Sequence, residues 1–307
     1  MTKVLVATIK PFASEAVTQI REIIESAGYE LALLEKYSDQ SEFVDAVADA
    51  DAMIIRSDNV DSQVIEAASK LKIVVRAGAG YDNVDLAAAS AKKIVVMNTP
   101  GQNSGAVAEL AIGMMLYLSR NCFAGTSGAE IAGKTLGLHA YGYVGKKVAQ
   151  MASGFGMEIY AYDPFIDKAE IENDGVKCLN SAEELYRTCQ YISLHIPAND
   201  KTRGSINYDL LSLMPDGAML VNTARKEVID EASLARVFKE RQDFRYASDV
   251  APDNSGELND SYAGRLYCTP KKMGAQTAEA NVNAGKAAAR QIIAFLEQGD
   301  TTFQVNE

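Results

Sequence analysis

A chain of 307 residues exceeds what one hydrophobic core usually supports, so the sequence predicts two domains of ordinary size. Its composition, 48% hydrophobic and 23% charged residues, is typical of a folded globular protein and excludes a disordered or fibrous one. The net charge of −11 argues against a general surface for nucleic acid or an anionic membrane, which would need a basic face, so we expect neither as a partner.

The four cysteines form no C-x-x-C pair, and the chain has only two histidines, so we predict reduced thiols and no metal site. The N-terminal segment MTKVLVATIKPF contains too short an apolar run for a signal peptide. The longest apolar stretch, AVAELAIGMMLYL, contains Glu109 and is too short to cross a bilayer. We therefore expect a cytoplasmic protein.

The first hundred residues alternate short β-branched segments with helical patterns. The predicted strands are KVLVATI (3–9), YELALLE (29–35), AMIIRS (52–57), KIVVRAG (72–78) and IVVMNTP (94–100). This alternation predicts a parallel sheet with helices on both faces. We assign residues 1–98 to one doubly wound α/β unit.

A long apolar helix over 104–120 follows, and then the alternation starts again. The second series of predicted strands is TLGLHAYG (135–142), MEIYAYDP (157–164), YISLHIP (191–197), AMLVNTAR (218–225) and FRYASDV (244–250). We assign residues 99–275 to a second α/β unit. The last predicted helix, 275–299, lies outside this series and is expected to return to the first unit, so that residues 276–307 join residues 1–98.

The segment 134–164 has the organisation of a dinucleotide-binding βαβ unit. A strand runs into Ala140-Tyr141-Gly142-Tyr143-Val144-Gly145, a helix and a second strand follow, and Asp163 ends that strand with Pro164 after it. Small residues allow a sharp turn, close backbone approach to a pyrophosphate and close helix packing, and the amides at the start of the helix face phosphates. A carboxylate at the end of the second strand accepts hydrogen bonds from ribose hydroxyls and repels a 2′-phosphate, so NAD is favoured over NADP.

With this unit in place, the whole chain resembles the D-isomer-specific 2-hydroxyacid dehydrogenases, and among them the D-3-phosphoglycerate dehydrogenase branch. The resemblance rests on VVRAGAGYDNVD (74–85), NTPGQNSGAVAE (98–109), SLHIP (193–197), MLVNTARKEVIDE (219–231) and TPKKMGAQTAEA (269–280), together with the nucleotide unit. It implies a Rossmann-type NAD domain inserted into a flavodoxin-like substrate domain, an active site in the cleft, and a homodimer joined through the NAD domain. It also implies a short form without the C-terminal regulatory domain of some relatives.

The resemblance assigns roles to further residues. Arg225 matches the arginine that holds the substrate carboxylate, and a guanidinium suits that role because it binds two oxygens and stays charged. The other cofactor-binding residues implied are His195, Pro197, Thr223, Ala224 and Asp249. The backbone of Ala77, Gly78, Ala79 and Gly80 resembles the loop that cradles the same carboxylate, and Asn103 is predicted as a further substrate-binding residue.

The chain departs from the family at the catalytic acid. Where the wider family has a histidine after a Thr-Pro pair, this chain has Lys271 and Lys272, and Asn254 stands at the position of the glutamate that orients the histidine. His139 and His195 are better interpreted as strand-end residues. We predict that Lys272 replaces the histidine as acid/base, with Lys271 as the alternative alignment. A lysine needs no carboxylate to fix a tautomer, but it exchanges protons near neutral pH only when burial or a nearby cation lowers its pKa.

A phosphorylated substrate requires more positive charge than Arg225 provides. Arg56, Ser57 and Arg76 lie at or just past the carboxyl ends of predicted strands of the first unit, where α/β sheets bind ligands. We therefore predict NAD-dependent oxidation of 3-phospho-D-glycerate to 3-phosphohydroxypyruvate, a step of serine biosynthesis. A reductase of another 2-oxo acid, such as hydroxypyruvate or glyoxylate, and a catalytically impaired NAD-sensing protein remain as alternatives.

Overall fold

A computed structural model describes residues 1–307 and divides them into two units. The first consists of Met1–Asn103 and Gln276–Glu307, and the second of Ser104–Ala275. The first boundary lies five residues after the position proposed from the sequence. The reason is that Asn98 and Thr99 bond back to the first unit, Asn98 to the backbone of Phe303 and Thr99 to the backbone of Gly78.

All the strands are short. They are β1 (Lys3–Thr8), β2 (Glu30–Glu35), β3 (Ala52–Ile55), β4 (Ile73–Arg76), β5 (Val95–Asn98), β6 (Thr135–His139), β7 (Glu158–Tyr162), β8 (Lys177–Cys178), β9 (Tyr191–Leu194), β10 (Met219–Asn222), β11 (Arg245–Ser248) and β12 (Leu266–Cys268). The strands β8 and β12 were not predicted from the sequence, because two and three residues are too few to show the alternation of apolar and polar residues that marks a strand.

The helices connect these strands. They are α1 (Ser14–Ser26), α2 (Gln40–Val47), α3 (Ser62–Ala67), α4 (Leu86–Ala91), α5 (Ser104–Ser119), α6 (Tyr143–Gly154), α7 (Lys168–Asn173), α8 (Ala182–Thr188), α9 (Tyr208–Leu211), α10 (Glu231–Glu240), α11 (Ser255–Ser261) and α12 (Ala278–Gln298). No helix combines the length and the apolar character that a bilayer crossing requires. Several helices begin at a side chain that accepts a hydrogen bond from the first turn, as at Asp39, Asp61, Asp85, Ser181, Asp230 and Thr277.

The first unit contains a five-stranded sheet in the order β2-β1-β3-β4-β5, and every pair of neighbours is parallel. Its central strands are buried on both faces, as the continuous apolar segments AMII and IVV predict. Helix α12 packs on one face beside α1. At Gly285 a Cβ would lie 2.7 Å from the Cδ1 of Ile20, so the glycine allows this close approach.

The second unit contains a seven-stranded parallel sheet in the order β12-β11-β10-β9-β6-β7-β8. Its chain order reverses at β6, which pairs with β7 on one side and with β9 on the other. Open sheets of this kind bind ligands at such a switch point, beyond the carboxyl ends of the strands. The prediction of two doubly wound parallel-sheet units is confirmed.

Candidate functional site

The predicted cofactor and catalytic residues of the second unit follow neighbouring strands. From one side of the sheet to the other, the residues at the carboxyl ends are these: the loop with Lys271 and Lys272 (the lysine loop) after β12, Asp249 after β11, Arg225 after β10 and His195 after β9. The loop from Ala140 to Gly145 (the glycine loop) follows β6. Because the strands are all parallel, these residues emerge at one edge of the sheet. Residues spread over more than 130 positions of the chain thus form one row.

The glycine loop joins β6 to α6. Ala140 has a positive φ of 82°, and its backbone N–H donates to the carbonyl of Tyr162 at 2.9 Å. Gly145 must be glycine, since a Cβ there would lie 2.6 Å from the carbonyl oxygen of Ala140. A Cβ at Gly142 would contact no protein atom, so the protein itself does not require glycine at this position. A backbone that a phosphate approaches closely does require it.

Asp163 follows β7, where the sequence places the ribose-binding carboxylate. Its Oδ2 accepts from the backbone N–H of Tyr141 at 2.8 Å, and its Oδ1 accepts from the N–H of Phe165 at 2.9 Å. The two bonds fix the carboxylate beside the glycine loop. Each oxygen keeps a further lone pair for a ribose hydroxyl. Pro164 is exposed directly after it.

Two buried polar atoms at the same edge have no hydrogen-bond partner within the protein. They are Nε2 of His195 and Oγ1 of Thr223, both predicted from the sequence as cofactor-binding residues. Buried polar atoms are almost always paired, so an unpaired atom in a native site indicates a missing partner. Together with the open face of Gly142, these atoms fit the binding of NAD.

Both histidines are held neutral by their surroundings. Burial lowers the pKa of His195 to about 3 and that of His139 to about 4. Nδ1 of His139, at the end of β6, lies 3.3 Å from the buried hydroxyl of Tyr186 on α8. A ring with such a low pKa is a poor acid/base at neutral pH, as expected for strand-end residues.

Arg225 lies on a loop held by a residue that the sequence analysis did not single out. The buried side chain of Asn222, the last residue of β10, accepts from the N–H of Ala224 at 3.0 Å and donates to the carbonyl of Arg225 at 2.9 Å. The guanidinium is exposed, and its bond within the protein goes to the carbonyl of Ala224 at 2.9 Å. An Asn side chain that bonds its own backbone two residues on is a known turn device, and it is the sequence signal that could have identified Asn222.

The lysine loop is held by Asp249. This buried carboxylate accepts from the hydroxyl of Thr269 at 2.8 Å, from the N–H of Met273 at 2.7 Å and from the N–H of Gly274 at 2.7 Å. The bonds fix the loop on both sides of Pro270-Lys271-Lys272. Both lysines are exposed on this loop. For Asp249 the structure adds an anchoring role to the predicted cofactor contact.

At the position of the family glutamate, Asn254 is anchored to Glu231. The carboxylate of Glu231 accepts from the backbone N–H groups of Asp253 and Asn254, at 2.8 and 3.2 Å. The Oδ1 of Asn254 is buried and has no hydrogen-bond partner within the protein. This position therefore presents a buried neutral oxygen.

In the first unit, the loop after β4 contains two backbone N–H groups that donate to no acceptor of the chain, those of Ala79 and Gly80. The N–H of Gly78 is already used, because it donates to the carbonyl of Arg76 at 2.8 Å. Asn98 was not predicted as a site residue. Its Nδ2 donates to the carbonyl of Ala79 at 2.6 Å and holds the loop. Two amides that point out of a fixed loop can bind a carboxylate.

The cations of the first unit take part in its internal bonding. The guanidinium of Arg56 donates to the carbonyls of Lys10 and Pro11, both at 2.9 Å, and to the side chain of Asn281. Burial lowers its pKa. Nε of Arg76 donates to the carbonyl of Arg56 at 3.0 Å, and a Cβ on Gly78 would collide with the guanidinium of Arg76.

The remaining predicted residues differ in their exposure. Ser57, Tyr143 and Pro197 are exposed, while Ala77 is buried and Val144, Ala224 and Asn103 are partly buried. Asn103 precedes α5 directly. The side chains of Ser57, Tyr143 and Asn103 make no hydrogen bond that would assign them a structural role.

One family model matches a segment that lies within the second unit, and several known proteins match most of the chain. Residues 115–268 match the sequence model described as D-isomer specific 2-hydroxyacid dehydrogenase, NAD binding domain. The chain is 37% identical over 267 residues to D-3-phosphoglycerate dehydrogenase of Methanocaldococcus jannaschii, covering 82% of this chain and 51% of that protein. It is also 37% identical over 219 residues to hydroxypyruvate reductase of Thermotoga maritima, covering 67% of this chain and 70% of that protein.

A solved structure of similar length is 3-phosphoglycerate dehydrogenase of Entamoeba histolytica with NAD+ bound. It shares 49% sequence identity with this chain and a TM-score of 0.87, over 100% of this chain and 99% of that one. By contrast, this chain spans about half the length of most of the curated relatives it matches. The chain belongs to the D-isomer specific 2-hydroxyacid dehydrogenases, and its second unit is the NAD-binding domain of that family.

Proposed function

We propose that the protein oxidises 3-phospho-D-glycerate to 3-phosphohydroxypyruvate with NAD, as a step of serine biosynthesis. The observation that carries the proposal is the arrangement of the second sheet, where Arg225 and the lysine loop follow strands on either side of β11. A carboxylate-binding guanidinium and a proton acceptor are the two side chains that this oxidation requires. Relatives named D-3-phosphoglycerate dehydrogenase support the same reading.

The chemistry divides into a hydride and a proton. Bound NAD supplies the nicotinamide that accepts the hydride from C2 of the hydroxy acid. Arg225 holds the substrate carboxylate and polarises the C2 oxygen, and the lysine amine takes the hydroxyl proton as the carbonyl forms. The hydroxy acid thus loses a hydride and a proton, and the lysine carries the proton away as an ammonium group.

Between the two lysines, the loop contacts favour Lys272. It directly precedes Met273, whose N–H is bonded to Asp249, whereas Lys271 is one residue further from that anchor. A side chain next to a fixed backbone position is held more closely in one place, which proton transfer requires. The proposal therefore assigns the acid/base role to Lys272, with Lys271 as the alternative.

The first unit supports a substrate with a second anionic group. The free amides of Ala79 and Gly80 suit one anionic group, and Arg56 and Arg76 follow the neighbouring strands β3 and β4. Ser57 adds an exposed hydroxyl beside Arg56. In this proposal the internal bonds of the two arginines orient their guanidinium groups, and the positive charge of both groups attracts a phosphate.

Two other functions have their own support. The similarity to hydroxypyruvate reductase favours reduction of an unphosphorylated 2-oxo acid such as hydroxypyruvate or glyoxylate. The exposure of both lysines, and the loss of the histidine and glutamate, favour a protein that binds NAD without turnover.

One assay separates the three proposals. The absorbance of NADH is followed with NAD and 3-phospho-D-glycerate, and in reverse with phosphohydroxypyruvate, hydroxypyruvate, glyoxylate and pyruvate. We expect the highest kcat/KM with the phosphorylated pair. Higher kcat/KM with hydroxypyruvate or glyoxylate would replace the substrate assignment. No turnover with any of them, in a protein that binds NAD in a calorimeter, would replace the enzyme with a binding protein.

The proposal includes a homodimer joined through the NAD-binding unit and a cytoplasmic location, as the family resemblance implies. All four cysteines are free thiols, which suits a reducing compartment. Sedimentation equilibrium measures the oligomeric state directly. A mass close to the 33.1 kDa of one chain would contradict the dimer.

A further inference from the structure

The first residue of the glycine loop is not glycine, and the structure must hold it in place by other means. Ala140 has a φ of 82°, in the left-handed region that an L-residue adopts only at an energetic cost that glycine avoids. The conformation matters, because the carbonyl of Ala140 lies against Gly145 at the start of α6. A shift of this turn would move the amides that face the phosphates of the cofactor.

The residue after Ala140 is anchored at both its backbone and its side chain. The N–H of Tyr141 donates to Asp163, and its ring is buried, with 1% exposure. Its hydroxyl donates to Oδ2 of Asp174 at 3.0 Å, and Asp174 lies at the end of α7, 33 residues further along the chain. Burial and this carboxylate raise the pKa of Tyr141, so the hydroxyl remains a donor at all ordinary pH values.

We propose that Tyr141 and Asp174 form a positioning pair that holds the Ala140 turn in its left-handed conformation and thereby keeps the loop ready for NAD. The pair compensates here for the absence of glycine. Tyr141 and Asp174 act through the backbone of the loop and need not contact the cofactor themselves. Loss of the pair lets the loop relax towards conformations that alanine prefers, and part of the binding energy of NAD is then spent on restoring the turn.

The experiment is a double-mutant cycle read out as the Kd of NAD by titration calorimetry. We expect Tyr141→Phe to weaken NAD about fivefold, the factor that a hydrogen bond of ordinary net strength represents. Asp174→Ala should have the same effect, because it removes the same bond and leaves the ring in place. In an Ala140→Gly background, Tyr141→Phe should change the Kd by less than about twofold, since glycine adopts the turn without support.

Tyr208→Phe is the matched control. It removes another hydroxyl-to-carboxylate bond of the same unit, from Tyr208 to Glu240 at 2.7 Å, away from the loop, and should leave the Kd unchanged. The proposal is overturned if Tyr141→Phe binds NAD as tightly as wild type. It is also overturned if the fivefold loss is the same in the Ala140→Gly background. Should Tyr141→Phe fail to fold, as judged by thermal melting, Asp174→Ala with and without Ala140→Gly decides by the same criteria.

Discussion

The two units hold the cations that we predict to bind substrate in opposite ways. In the first unit the guanidinium of Arg56 is built into the strand-end loops through two backbone carbonyls and Asn281. In the second unit Arg225 and the two loop lysines are exposed, and the anchoring is done by the neighbouring side chains Asn222 and Asp249. Substitution of Arg56 should therefore lower the free energy of unfolding. Substitution of Arg225 or of the acid/base lysine should lower the catalytic rate and leave the free energy of unfolding unchanged.

The substitution of an exposed cation with the largest expected effect is Lys272→Met. We expect kcat to fall by about 10³-fold, the usual contribution of a positioned acid/base, with no change in the Kd of NAD. NADH absorbance and calorimetry measure the two quantities. Lys271→Met is the control and should stay within about threefold of wild type, because the residue belongs to the same loop without the proposed role. The reverse pattern would assign the role to Lys271, and normal turnover of both variants would remove the lysine mechanism.

Arg225→Lys tests a second exposed cation, the one that we propose to bind the substrate carboxylate. The change keeps the charge but loses the bidentate fork, so kcat/KM should fall by about 10²-fold. The free energy of unfolding should change by less than about 0.5 kcal/mol, because the guanidinium is exposed and its one internal bond goes to the adjacent residue. Arg236→Lys, on the surface of α10, is the matched control for activity. A large loss of stability with Arg225→Lys would break the contrast between the units.

Arg56→Met tests the internally bonded cation of the first unit. The methionine keeps part of the contact with the ring of Phe12, 5.1 Å from the guanidinium carbon, but leaves three acceptors without their donor. We expect the free energy of unfolding in urea to fall by about 2 kcal/mol. Arg21→Met removes an exposed ion pair with Glu25 on α1 and should cost less than about 0.5 kcal/mol. Equal stability of the two variants would show that Arg56 is not structural.

Between about pH 5.5 and about pH 7.5, the pH dependence of stability should arise in the second unit, because it contains both histidines, the side chains that ordinarily titrate in this range. Burial lowers the pKa of His195 from 6.5 to about 3, so the unfolded chain binds the proton first as the pH falls. The stabilisation is complete above pH 6.5 and is lost progressively below it, down to the folded value. Between about pH 7.5 and about pH 5.5 this one residue should cost about 1.4 kcal/mol.

His195→Leu should remove that part of the acid sensitivity, measured as the difference between urea midpoints at the two pH values. His139→Leu provides a second case, because burial lowers its pKa to about 4 as well. An unchanged pH dependence in both variants would mean that the rings are not held neutral.

Much of the nucleotide site could be predicted from local sequence. Small residues at fixed spacing, a following helix and an acid eighteen residues after Gly145 are all set by neighbours along the chain, and the structure places Asp163 beside the loop. The two sheets were predictable for the same reason, since strand period and helix period are local properties. The two shortest strands, β8 and β12, show no such period and were missed.

Which side chains hold others in place was decided by the tertiary structure alone. The bonds from Asp249 to the lysine loop cross from β11 to the end of β12, and those of Arg56 reach residues 45 and 225 positions away. No sequence pattern encodes such partners, because they depend on which strands become neighbours in the folded sheet. The sequence by itself determined the two α/β units, the nucleotide fingerprint and the lysines in place of histidine. The order of the parallel strands determined that Arg225, Asp249 and Lys272 emerge side by side.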